Sequence, residues 1–343
     1  MLAEAGEASS VVAEQLRFNG DAMAELAEIA ASMAPPVILT CARGSSDHAA
    51  LFGKYLFETR LGAPVASFAP SVASLYGASM RLSGALFLAI SQSGGSPDLV
   101  VSAERAKLGG AYVVAFVNTE ESPLADAADF VVPLHAGPER SVAATKSYIA
   151  SLSALAHFSS AYALHASGEK AGPYAAALEA LPEQLALAWD QDWSVALDPL
   201  RDAANLFVVG RGHGLAIAEE AALKFKETSA LHAEAYSAAE VKHGPMAIVS
   251  DGVPVLAFEP TGPARAGFDD LITDFGARGA RCFVAGGEER LGAIRLPSVE
   301  SADPALTPIL QIQSFYKFVN AFSLARGQDP DRPPFLRKVT ETR

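Results

Sequence analysis

The run Val37-Ile38-Leu39-Thr40-Cys41, leading into Arg43-Gly44, is matched 168 positions later by Leu206-Phe207-Val208-Val209 leading into Arg211-Gly212. In both places a short apolar strand gives way to a glycine turn and then to a helical pattern, as in a βαβ unit. The same shift lays Leu86–Ser91 with Gly94 over Pro254–Glu259 with Gly262, and Ala111–Val117 over Gly279–Ala285. Three matched elements at one offset predict a duplicated α/β fold. The expected architecture is two tandem doubly wound parallel sheets, flavodoxin-like, each covered by helices on both faces in three α/β/α layers.

Working outward from the repeat, residues 1–34 form an N-terminal helical segment, with one amphipathic helix over 8–33 that stops at Pro35-Pro36, where the chain cannot continue helically. The first domain spans 35–165 and the second 195–326, joined by a helical linker over 166–194 that is rich in Ala and carries Gly168, Gly172, Pro173 and Pro182. The tail, 327–343, is rich in charge and proline and too polar to be core.

A length of 343 residues suits two domains, and a half-apolar composition with 19% charged residues excludes a disordered chain. The net charge of −13 opposes attraction to nucleic acid or to an anionic membrane, so a bound anion must be held by a local site. No window approaches the ~20 apolar residues of a membrane span, and the start MLAEAGEASS lacks the basic and apolar regions of a signal peptide. The expected location is cytoplasmic. Cys41 and Cys282 lie in apolar runs and read as buried, reduced thiols. His48, His135, His157, His165, His213 and His232 show no metal-ligand spacing, and neither a metal nor a cofactor is expected.

Open parallel sheets bind ligands beyond the carboxyl ends of their strands. There the first domain carries Ser91-Gln92-Ser93-Gly94-Gly95-Ser96-Pro97, with Ser96 suited to cap the next helix and Pro97 to its first turn. Hydroxyls, close-approaching glycine backbone and the unpaired N–H groups of a helix start are what hold a phosphate monoester without a lysine. Ser45-Ser46, after the Arg43-Gly44 turn, should face the same crevice. The second domain reads Glu259-Pro260-Thr261-Gly262 at the corresponding place, so only the first looks built for phosphate.

The Ser-Gln-Ser-Gly loop in a duplicated chain resembles the sugar isomerase (SIS) family, and the likeness extends over nearly the whole sequence. Ala42-Arg43-Gly44-Ser45-Ser46, Val142-Ala143-Ala144-Thr145-Lys146, Leu223-Lys224-Phe225-Lys226-Glu227, Leu231-His232-Ala233-Glu234-Ala235-Tyr236 and Glu240-Val241-Lys242-His243-Gly244-Pro245 are similar to the isomerase half of glucosamine-6-phosphate synthase. By spacing alone, Lys224 and Glu227 make an ordinary ion-paired helix surface, and His243 and Lys338 are solvated side chains. The resemblance implies more. Glu227 would move a proton between C1 and C2, supported by Lys224; His243 would open the sugar ring in the neighbouring subunit's site, which implies a homodimer. Lys338, in Asp331-Arg332-Pro333-Pro334-Phe335-Leu336-Arg337-Lys338, would form a Schiff base with the open-chain ketose. Val142 and Ala144 would join Ser45, Ser46, Ser91, Gln92, Ser93 and Ser96 in binding substrate.

The synthase's glutaminase domain has no counterpart in this sequence, which opens Met1-Leu2. The leading expectation is therefore an enzyme that opens, isomerises and deaminates glucosamine-6-phosphate to fructose-6-phosphate and ammonia. The alternatives are a deaminating isomerase for galactosamine-6-phosphate or fructosamine-6-phosphate, and a non-catalytic phosphosugar sensor. A sensor has no use for Glu227, His243 and Lys338 together, and no DNA-binding motif accompanies the repeat.

Overall fold

The computed structural model describes residues 1–167 and 172–338. Gly168 of the expected linker, and Val339-Thr340 of the tail, lie outside the described residues. Two compact units are present. The first comprises the described residues of Ser10–Glu139 and Lys146–Glu179 with Arg337 and Lys338; the second comprises Met1–Ser9, Arg140–Thr145 and Ala180–Leu336.

The first unit is built on a parallel sheet of β1 (Ile38–Cys41), β2 (Val65–Ser67), β3 (Leu86–Ser91), β4 (Tyr112–Val117) and β5 (Phe130–Pro133), in the order β2-β1-β3-β4-β5. β1 and β3 are buried along their whole length, which is why both read as unbroken apolar runs rather than alternating ones. The second unit repeats the plan with β6 (Asn205–Gly210), β7 (His232–Ser237), β8 (Pro254–Phe258), β9 (Arg281–Ala285) and β10 (Ala293–Leu296), ordered β7-β6-β8-β9-β10. In each sheet the order reverses between the first strand and the third, and this switch point opens a crevice at the carboxyl ends.

The helices used below are α1 (Ala8–Phe18), α2 (Gly20–Met33), α3 (Ser45–Arg60), α4 (Pro97–Leu108), α5 (Lys146–Ser167), α6 (His213–Ser229), α7 (Phe268–Ala277) and α8 (Thr307–Ala325). α4 closes one face of the first sheet over Leu39, Phe68, Phe87 and Val113. α3 and α5 pack together, with Phe57 and Phe158 edge to face at 5.6 Å. In the second unit α7 covers Phe207, Val255 and Cys282. α6 meets α8 through Phe225, which stands 5.2 Å from Phe315 and 5.5 Å from Phe322.

The duplication extends to single backbone angles. Gly44, ahead of α3, has φ 56° and ψ −132°; Gly212, ahead of α6, has φ 57° and ψ −130°. A Cβ disfavours this conformation, so both turns from strand end to helix start require glycine.

The single helix expected over 8–33 is two, α1 and α2, broken at Asn19. Asn19 is buried: its Nδ2 donates to the Pro133 carbonyl at 2.7 Å, and its Oδ1 lies 3.0 Å from His135 Nε2. The side chain thereby ties the end of β5, and the chain bends where an amphipathic pattern would let it run on.

Burial at α5 makes one histidine a measurable load. His157 borders a cleft of about 430 Å³ lined also by Leu16, Ala24 and Leu178, and its Nδ1 is buried without a hydrogen-bond partner. Desolvation holds its pKa down at about 4, against an ordinary 6.5. A histidine kept neutral inside stabilises the fold above pH 6.5 only by comparison: as pH falls from 6.5 to about 4 the unfolded chain takes up the proton first. The expected loss over that window is up to about 3 kcal/mol. His157→Leu should remove that increment from the pH dependence of the urea midpoint; an identical dependence in wild type and variant would contradict it.

Candidate active site

Two helix starts flank the first unit's switch point. α3 begins at Ser45 immediately after the Gly44 turn, leaving Ser45 and Ser46 half-buried. α4 begins after Ser96, whose extended backbone places it at the N-cap while its hydroxyl makes no capping bond, and Pro97 follows with no N–H to satisfy. Between β3 and α4 the Ser91 Oγ, buried, accepts the Gly94 N–H at 3.0 Å, and the Ser93 Oγ accepts the Gly95 N–H at 3.2 Å. Gln92, Ser93 and Ser96 are half-buried. The loop is thus folded on its own hydroxyls, with each serine O–H still able to donate to an anion.

Spacing gave no hint of the brace joining the two turns. Arg43 donates from Nε and Nη2 to Asp98 Oδ2, at 2.9 and 2.8 Å, and Asp98 is buried in the first turn of α4. The ion pair fixes one helix start against the other and leaves the guanidinium half-exposed beside both.

The second unit fills its own switch point. Glu259, 3% exposed at the end of β8, accepts Arg265 Nε at 2.7 Å and Arg290 Nη2 at 2.5 Å, and Asp269 holds both arginines from outside. A built-in carboxylate stands where the first unit has Ser91.

Lys224 and Glu227 are more deeply set than their spacing suggests. Lys224 on α6 is fully buried, not part of a helix surface; it pairs with Glu227 and, at 3.4 Å, with Glu220 Oε1. Glu220 is itself fully buried and accepts the Tyr316 hydroxyl at 3.1 Å from α8. Glu227, 20% exposed, is the outward member of the array. The array sets one cation between an inner and an outer carboxylate, a geometry that holds the outer one in a fixed orientation. The signal for Glu220 was present as the i, i+4 partner of Lys224.

The remaining residues fall in separate places. His243 is exposed at the end of a short 3₁₀ turn, Glu240–His243, beyond β7. Glu227 lies in the last turn of α6, before β7, and His243 beyond the end of β7. Val142 and Ala144 are half-buried in the coil before α5. Lys338 Nζ donates to Glu139 Oε2 at 3.0 Å. Among the described residues no group of three or more His, Cys, Asp or Glu is placed to hold a metal ion, and no helix is long and apolar enough to cross a membrane.

A duplicated 2-1-3-4-5 sheet with a hydroxyl-rich loop at one switch point defines the class. The SIS domain pattern matches residues 35–161 and 199–284, and the chain belongs to that family. Its relatives are consistent in kind. The glutamine–fructose-6-phosphate aminotransferase (isomerizing) of Thermococcus kodakarensis is 35% identical over 342 residues, covering 95% of this chain and 56% of that protein. The chain thus spans about half the length of the curated relatives it matches. A solved structure from Silicibacter pomeroyi, described as a candidate phosphosugar isomerase, is 42% identical with a TM-score of 0.90 over 96% of this chain and 99% of that one. The C-terminal domain of the glucosamine-fructose-6-phosphate aminotransferase of Francisella tularensis is 25% identical, with a TM-score of 0.85 over 97% of each chain.

Two substitutions test this geometry. Gly94 has φ 62°, and a Cβ there would lie 2.1 Å from Ser122 Oγ, so Gly94→Ala should cost about 1–3 kcal/mol in the denaturation midpoint and weaken phosphate binding with it. Lys224→Met leaves buried Glu220 without its cation and should cost about 3–5 kcal/mol, part of which returns in the double variant with Glu220→Gln. An additive double variant would show that the two side chains are not coupled.

Proposed function

We propose that the protein is an aldose–ketose isomerase of phosphorylated amino sugars that converts glucosamine-6-phosphate to fructose-6-phosphate and ammonia. A phosphosugar isomerase is what the named relatives support; the substrate and the deaminating direction are this reading's own. The observation that carries it is the Glu220–Lys224–Glu227 array, because moving a proton between adjacent carbons calls for one oriented, partly accessible carboxylate. In this reading Ser45, Ser46, Ser91, Gln92, Ser93 and Ser96 anchor the phosphate, with Val142 and Ala144 against the sugar. His243 serves the ring oxygen, Glu227 carries the proton from C2 to C1, Lys224 holds Glu227, and Lys338 meets the carbonyl. Hydrolysis of the resulting C2 imine releases ammonia.

Burial pushes the Cys41 thiol up to about 12 and that of Cys282 up to about 11. Neither is a nucleophile near neutral pH.

The placement of Glu227 before β7 and of His243 beyond it supports a homodimer in which His243 serves the partner's site. Mixing His243→Ala with Glu227→Gln chains, each inactive alone, should then restore part of the activity; a fully active monomer contradicts the shared site.

The reaction itself is tested by following ammonia and ketose phosphate from glucosamine-, galactosamine- and fructosamine-6-phosphate in D₂O. Glucosamine-6-phosphate should be turned over best, with solvent deuterium entering at C1, and Glu227→Gln should abolish turnover while still binding fructose-6-phosphate. Preference for another substrate in the panel would reassign the specificity. Binding without any turnover would make the protein a sensor.

A further inference from the structure

Among the described residues of the tail, Lys338 is held by an ion pair. Phe335 and Leu336, just before it, are exposed. Lys338 is different: its ammonium meets Glu139, a carboxylate that the sequence reading did not single out and that is 5% exposed. Glu139 is firmly placed. Its Oε1 accepts the Ser147 N–H at 3.2 Å and its Oε2 the Ser147 hydroxyl at 2.6 Å, which fastens it to the first turn of α5. Upstream, Asn118 at the end of β4 donates to the Gly137 carbonyl at 2.8 Å and accepts the Ala136 N–H at 2.7 Å. The loop bearing Glu139 is therefore clamped to the carboxyl end of the first sheet, the end from which Ser45, Ser46 and the Ser91–Ser96 loop also emerge.

We propose that Glu139 is the positioning residue for Lys338: its buried carboxylate receives the tail and fixes the amine at the phosphate-binding end of the first sheet. This rests on the reading of Lys338 as the amine that meets the open-chain carbonyl. In that step one Nζ proton passes to Glu139 Oε2, the nitrogen lone pair forms a bond to the carbonyl carbon as the C=O π bond opens, and a second Nζ proton moves to the oxygen to give the carbinolamine. The proton held by Glu139 then passes to that hydroxyl and the C–O bond breaks as the nitrogen lone pair closes C=N, so that one water leaves with both protons and one positive charge, now on the iminium nitrogen, stays beside the carboxylate. A partner already anchored at a helix start needs no reorganisation as the cation changes from ammonium to iminium.

The test is reductive trapping with fructose-6-phosphate and cyanoborohydride, read by mass at the Lys338 peptide. Wild type should form the adduct. Glu139→Gln should form it about tenfold more slowly or worse, with a matching fall in kcat and the Kd for fructose-6-phosphate held within about twofold, as expected when only orientation is lost. Glu139→Asp keeps the charge at the helix start but withdraws it by one methylene, so it should trap at an intermediate rate and carries the test if the glutamine variant fails to fold. Trapping at the wild-type rate in the glutamine variant, or in Glu139→Asp standing in for it, overturns the role of Glu139 and leaves the function reading intact. No adduct in wild type, together with full turnover by Lys338→Ala, overturns the reading of Lys338 itself.

Discussion

Two glycines held at nearly the same left-handed φ, Gly44 and Gly212, are the constraint on which both halves of this protein depend. Each lets a buried parallel strand turn at once into a helix whose first N–H groups face the switch point. With the turn fixed, the chemistry of a crevice is decided by the few side chains placed after the neighbouring strand. The fold supplies two crevices of one design, and the residues after β3 and β8 make them unequal.

After β3 the chain provides hydroxyls and glycine, braced by Arg43 and Asp98. After β8 it provides Glu259, already neutralised by Arg265 and Arg290. A carboxylate clamped by two guanidiniums occupies this crevice from within and engages the cations that an incoming phosphate would need. In the first crevice the carboxylate, Asp98, is withdrawn into the first turn of α4 and paired with Arg43, and the loop itself presents hydroxyls. Duplication thus yields one crevice suited to an anionic ligand and one that already holds a carboxylate, and α6 of the second unit carries the Lys224 array.

What could be read from the sequence was what repeats or what is local. The sheets, their switch points and the serine loop follow from strand-turn-helix patterns at one offset, and Glu220 was within reach as a helical neighbour of Lys224. What escaped depends on contacts between distant parts of the chain. Lys224 looks like a surface residue until Tyr316, 92 positions on from it, closes over Glu220. The break at Asn19 is set by the Pro133 carbonyl, and the anchorage of Lys338 by Glu139, 199 residues earlier. Polar side chains of this kind carry no periodicity, so pattern alone assigns them to solvent.

The inequality of the two crevices is tested most directly by calorimetric titration of the intact protein with fructose-6-phosphate, read for stoichiometry. The account predicts one site per chain, much weakened in Ser93→Ala, where losing a charge-assisted hydrogen bond costs about 1.5–3 kcal/mol, and unchanged in Glu259→Gln if that variant stays folded. Two sites per chain, or one site indifferent to Ser93, would contradict it.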